Sequence, residues 1–147
     1  LLGRAVFMTL LVVGLSVNSF AQKESKKAKT EKTIQRPGTV GHAATDKFVD
    51  SSFDVYERNM KLTERLSNAA GNVDKIKSIK NDLENQTNEV KGLLGQSADV
   101  MKEAKTITPK TNSMKAVKAI NAATKALNTT KENFPTQLEQ IKNQESK

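Results

Sequence analysis

Apolar residues recur at intervals of three and four along the chain from about residue 43 onward. This spacing places apolar side chains on one face of an α-helix, and the strict alternation that indicates a strand is missing. The pattern is interrupted at Gly71-Asn72 and at Pro109, residue types that end helices or form turns. It therefore predicts an all-α fold with helices over about residues 45–70, 73–106 and 112–146.

The first predicted helix has a wide apolar face. One stripe at helical spacing consists of Phe48, Val55, Leu62, Leu66 and Ala69. A second stripe, rotated by about 100°, consists of Val49, Phe53, Tyr56 and Met60. A surface helix needs an apolar stripe of only about 100°, so we expect this helix to contact more than one neighbour. The second stripe is either core or a face for a protein partner or a second copy of the chain.

The second and third predicted helices contain residues that weaken a helix. The apolar heptad pattern of the second helix has Gln86 at one core position, and Gly92 and Gly95 predict a kink or weak point over residues 92–95. Pro135 lies within the third helix and predicts either a kink there or the restart of a short fourth helix.

The connections and the composition refine the predicted architecture. Because the link at Gly71-Asn72 is short, we expect neighbouring helices to pack antiparallel. Only 36% of the residues are hydrophobic and few are aromatic, which predicts a thin core and a narrow molecule. Residues 43–147 are therefore expected to form an elongated antiparallel three-helix bundle.

The N-terminal segment has the pattern of a secretory signal peptide. Arg4 precedes an apolar run over residues 5–17, and small residues lead to Ala21. We expect residues 1–21 to be removed by cleavage between Ala21 and Gln22, and the mature chain to be exported, either to the periplasm or out of the cell. The apolar run is shorter than the roughly 20 residues that span a bilayer. The alternative is an uncleaved anchor.

Residues 22–42 are rich in charge and poor in apolar side chains. This segment holds half of the chain's net charge of +8, and Pro37, Gly38 and Gly41 interrupt it. Such a composition predicts a disordered basic linker, because too little surface can be buried to offset the chain entropy. It is either a solubilising tether or a contact for anionic lipid. The candidate contact residues are Lys23, Lys26, Lys27, Lys29, Lys32 and Arg36.

The residues "SVNSFAQ" that end the signal segment resemble those of many exported proteins of the Bacteroidota. The helix order and composition that follow resemble small secreted helical proteins of the same group. The resemblance implies export and a helical fold, and it brings no activity with it.

The side chains that carry out catalysis are missing or isolated. The chain has no cysteine, and its one histidine, His42, lies in the glycine-rich end of the linker. The carboxylate pairs Glu57/Glu64 and Asp82/Glu89 each share a helix face with Lys, Asn or Gln, which is typical of a solvated helix surface. We therefore predict no catalytic residue, no metal site and no cofactor, and a protein that is not an enzyme.

These observations favour an exported, non-enzymatic helical protein that binds or scaffolds through its helix faces. One alternative is a periplasmic chaperone of the holdase type, which needs an exposed apolar surface. The other is a helical bundle that binds lipid or another anionic surface. Nucleic acid is a poor candidate, because the basic linker has no aromatic side chain for base stacking.

Overall fold

The structure, a computed structural model, describes residues 33–146. The described chain contains three helices, α1 (Ala43–Ser67), α2 (Val73–Thr106) and α3 (Lys110–Glu145), and each packs against the other two. Residues 33–146 contain no strand. The prediction of an all-α fold with three packed helices is confirmed.

The turn between α1 and α2 begins earlier than predicted. α1 ends at Ser67, and Ala70 and Gly71 then take positive φ angles of 41° and 75°. These left-handed residues form the turn before Asn72. The Asn72 side chain accepts a hydrogen bond of 3.0 Å from the backbone N–H of Lys75, so Asn72 is the N-cap of α2.

α3 is longer and more continuous than the sequence pattern indicates. It begins at Lys110, because the carbonyl of Pro109 accepts hydrogen bonds from the N–H groups of Asn112 and Ser113. It then runs through Pro135 to Glu145, so the suggestion of a separate fourth helix is wrong for the described residues. Buried side chains on both sides of Pro135, including Gln137, keep this part of α3 packed on the bundle.

α2 is a single helix across both of its internal glycines. Gly92 and Gly95 are exposed, and a Cβ atom at either position would meet no atom within 4 Å. They are therefore not needed for a close approach between helices. The weak point predicted over residues 92–95 does not interrupt α2.

The core consists of two apolar clusters. The larger contains Phe53, Tyr56 and Val55 of α1, the C-terminal half of α2 and the alanine-rich half of α3. The smaller contains Leu62, Leu66, Ala69, Ile76, Ile79, Leu83 and Ile141. Phe134 packs against both clusters. Between them, along all three helices, lie polar residues that are buried and hydrogen-bonded to one another.

Residues 34–42, which we call the strap, lie against α1. Ile34 and Val40 are half-buried and pack on the larger cluster. The sequence analysis placed this stretch in a disordered linker over residues 22–42, and for residues 34–42 the structure corrects that prediction. The strap has few apolar side chains. Its polar groups form hydrogen bonds and ion pairs with α1, and these contacts cannot be predicted from the composition of the segment.

Candidate binding surfaces of the bundle

The basic linker residues predicted to contact anionic surfaces fall into two sets. Lys23, Lys26, Lys27, Lys29 and Lys32 lie outside the described residues, as do the signal segment and the cleavage site at Ala21 and Gln22. Arg36 is described, and it is not a free cation. Its guanidinium is occupied by carboxylates of α1, so it is unsuited to the surface contact that the sequence suggested.

Arg36 binds a row of acidic side chains that we call the acidic strip, Asp50, Asp54 and Glu57. These residues are spaced four and three apart, so they share one face of α1. The guanidinium lies 3.5 Å from Asp50 and 3.2 Å from Glu57, and it donates a hydrogen bond to Asp54. The hydrogen bond to Asp54 is the main reason that the pKa of Arg36 lies above its ordinary value.

Arg36 also covers the aromatic part of α1. Its Cζ atom lies 5.8 Å from the centre of the Phe53 ring, which is a cation–π distance. Next to it, the Ile34 N–H donates a hydrogen bond of 3.2 Å to the Tyr56 hydroxyl. The rings of Phe53 and Tyr56 pack edge to face, with centroids 6.1 Å apart. The strap thus completes the burial of this aromatic pair.

The other end of the strap is fixed at the first turn of α1. The Asp46 carboxylate accepts hydrogen bonds from the N–H groups of Val40 (2.8 Å) and Gly41 (3.0 Å). His42 caps the helix, with Nδ1 accepting from the Thr45 N–H and lying 2.9 Å from Thr45 Oγ1. The one histidine of the chain, which the sequence placed in an exposed linker, is therefore a structural cap.

The predicted partner face on α1 is mostly buried. Val49, Phe53 and Tyr56 are at most 4% exposed, whereas Met60 is 42% exposed. The first three belong to the larger apolar cluster, and the strap covers the outer side of the aromatic pair. Of the two interpretations of this stripe, core and partner face, the structure supports core for these three residues.

A surface that the sequence analysis did not single out lies on α3. Between residues 110 and 131 this helix carries five lysines and no acidic residue. Lys115, Lys118 and Lys125 lie within an arc of about 120°, at 100° per residue, together with Met114 and Asn121. All five residues of this arc are exposed. We call this the lysine face, and it comprises Met114, Lys115, Lys118, Asn121 and Lys125.

Among residues 33–146, no carboxylate forms an ion pair with the lysines of this face. Within residues 33–146 the ion pairs involve Arg36, Arg58, Arg65, Lys80 and Lys102, and none involves a lysine between residues 110 and 131. Met114, in the same arc, is 54% exposed and adds an apolar side chain. The signal was present in the sequence as lysines at helical spacing without Asp or Glu, and the structure adds that these lysines are exposed and form no ion pair within residues 33–146.

An open groove of about 690 Å³ lies between α1 and α2 near their turn. It is lined by Lys61, Glu64, Arg65, Asn68, Asp74, Lys75, Ser78 and Ile79. Arg65 is already engaged there, because it pairs with Asp82 and donates a hydrogen bond to Ser78. The lining of the groove therefore carries charges of both signs.

The carboxylates considered as acid–base candidates are mostly held in ion pairs. Glu57 contacts Arg36, Asp82 contacts Arg65, and Glu89 contacts Arg58. Across residues 33–146 no three metal-binding side chains come together. None of the three helices is both long and apolar enough to cross a membrane.

The polar residues between the two apolar clusters form an internal network centred on Asn59. Its Nδ2 donates to Gln86 Oε1 (3.0 Å) and to Gln137 Oε1 (2.9 Å), so that one side chain joins all three helices. Gln137 Nε2 donates in return to Asn59 Oδ1 (3.1 Å) and to Thr63 Oγ1 (2.8 Å). Asn59, Gln86 and Gln137 are at most 4% exposed. This network is part of the interior and is closed to ligands.

No protein-family model, curated protein or solved structure matches this chain. The function must therefore be inferred from the surfaces and charges of the bundle itself.

Proposed function

We propose that this chain is an exported, non-enzymatic protein of the cell envelope that binds anionic membrane surfaces through the lysine face of α3. The observation that carries the proposal is the concentration of exposed lysines on α3 without a neutralising carboxylate. An export signal, proposed for residues 1–21, would bring the protein to membranes from outside the cytoplasm.

The composition of the lysine face favours a lipid surface over nucleic acid. Lysine is a flexible point charge that suits a broad anionic surface, whereas phosphate recognition in defined geometry favours arginine, which this face lacks. The face also has no aromatic side chain on which a base could stack. Exposed Met114 adds an apolar side chain that suits the boundary between headgroups and acyl chains.

We also propose that neighbouring helices run antiparallel, which makes the lysine face a rigid surface. Two ion pairs between α1 and α2 support this orientation. Arg58 of α1 pairs with Glu89 of α2. Arg65 comes later in α1 but pairs with Asp82, which comes earlier in α2. In such a bundle the inner side of α3 is fully used in packing. Only its outer side is free to contact another surface.

The proposal is tested by co-sedimentation of protein, purified after export, with vesicles that contain anionic lipid. Near an anionic surface each lysine contributes about 1 kcal/mol, so Lys118→Gln with Lys125→Gln should weaken binding about thirtyfold. Binding of the wild type should also fall as salt is added, because exposed charges are screened.

A matched control separates the lysine face from net charge. Lys77→Gln with Lys91→Gln removes the same charge from exposed positions of α2. This variant should keep most of the wild-type affinity. Equal loss in both double variants would mean that binding follows net charge alone, and the proposal for α3 would be abandoned.

The holdase alternative has less support. The large apolar side chains that are exposed in residues 33–146 are Met60, Val73, Met114 and Leu138. They come from widely separated places along the chain, and single exposed apolar residues are normal on protein surfaces. A chaperone would also have to delay the aggregation of an unfolded client, which provides its own assay.

A further inference from the structure

The first three residues of the strap make their polar contacts with α1 alone. Ile34 donates to the Tyr56 hydroxyl, and Arg36 binds the acidic strip and lies over Phe53. The polar part of this docking site is thus built by one helix, and Ile34 also packs on the larger apolar cluster. An extended segment with an arginine two residues after an aliphatic residue occupies the site. Nothing in these contacts requires the segment to come from the same chain.

Residues 37–39 link the docked residues to the part of the strap that is fixed at the start of α1. Among described residues, no hydrogen bond holds Pro37, Gly38 or Thr39, and the space around Gly38 is open. The strap is fixed again only at Val40 and Gly41, by Asp46. Straightening residues 37–39 would carry residues 34–36 away from their own helix without breaking the cap of α1. Exchange of an identical element between copies is a low-cost route to a dimer, and residues 37–39 are the link that would change conformation in such an exchange.

We propose that the acidic strip and the Phe53–Tyr56 pair also bind residues 34–36 of a second copy, so that two chains exchange the first three residues of their straps. Each copy would then supply the arginine that completes the other's site, with the same contacts as in the closed monomer. Tethering gives the chain's own strap a high effective concentration, which favours the monomer in dilute solution. The exchanged dimer is expected as the protein concentration rises. This proposal does not depend on membrane binding.

A pair of charge-reversed variants tests the exchange. The first, Arg36→Glu, has an intact acidic strip but a strap that the strip repels. The second, Asp54→Lys with Glu57→Lys, has an intact strap but a strip that repels its own Arg36. All three positions are exposed, so both variants should keep the fold. When the two are mixed, each strap finds a complementary strip only on the other chain.

Sedimentation equilibrium of each variant and of the equimolar mixture gives the outcome. We expect monomers of each variant alone and dimers in the mixture at the same total concentration. The chain that carries all three substitutions serves as the control, because it restores charge complementarity within one molecule and should behave like the wild type. A mixture that stays monomeric would overturn the proposal, as would dimers formed by Arg36→Glu alone.

Discussion

Asn59 is the residue on which the interior of the bundle depends most. It lies at the level where the two apolar clusters meet, is fully buried, and donates hydrogen bonds to one glutamine on each of the other helices. It also accepts from the Nδ2 group of Asn133. A buried polar side chain is tolerated at such a position because it is hydrogen-bonded. If it is removed, its hydrogen-bond partners stay buried without a partner of their own, which costs free energy.

We predict that Asn59→Ala lowers the free energy of unfolding by about 3 kcal/mol, because the Oε1 atoms of Gln86 and Gln137 lose their donor while they stay buried. Urea denaturation of the variant and the wild type provides the measurement. Asn88→Ala, at an exposed position of α2, is the control and should change stability by less than about 0.5 kcal/mol. Equal stability of Asn59→Ala and wild type would show that the network is not structural.

At the scale of the element, the glycines of α2 and of the α1–α2 turn have opposite roles. Gly92 and Gly95 are helical, exposed and surrounded by open space, so they only loosen the helix. Gly71 has a φ angle of 75°, a conformation that side chains with a Cβ adopt at a cost. The same residue type therefore weakens one element and forms the turn before it.

We predict that Gly92→Ala with Gly95→Ala raises the free energy of unfolding by about 1–2 kcal/mol, because alanine restricts the unfolded chain and suits the helix. Thermal unfolding followed by circular dichroism provides the measurement. Gly71→Ala is the contrasting variant, and it should destabilise by about 1 kcal/mol. A double variant less stable than the wild type would show that the two glycines serve a packing or bending role.

The helices were predictable because their apolar periodicity is local. The core position of Gln86 was visible in the same way, as a polar residue at a heptad position. Its hydrogen-bond partner Asn59 was not, because Asn59 lies 27 residues from Gln86 and 78 residues from Gln137, and only the packed helices bring these pairs together. The strap was missed for the same reason. The strap binds α1 through the contacts of Arg36 with the acidic strip. The composition of residues 22–42 does not reveal these contacts, because the acidic strip lies outside that segment.

At the scale of the whole molecule, the acidic strip and the lysine face differ in whether a residue of opposite charge pairs with them. The acidic strip on α1 is paired with the chain's own Arg36. The lysine face on α3 has no such partner among the described residues. The net positive charge of the bundle is thus displayed on one helix rather than spread evenly. This asymmetry is the basis for the proposal that α3 meets an anionic membrane surface.

The absence of cysteine from the chain allows that claim to be tested at single positions. Asn121→Cys places a polarity-sensitive fluorescent label in the lysine face, and Asn88→Cys places the same label on the outer side of α2. With vesicles of anionic lipid, the emission of the label at position 121 should shift to shorter wavelength, whereas the emission at position 88 should stay unchanged. An equal shift at both positions, or a shift at position 88 alone, would contradict the account.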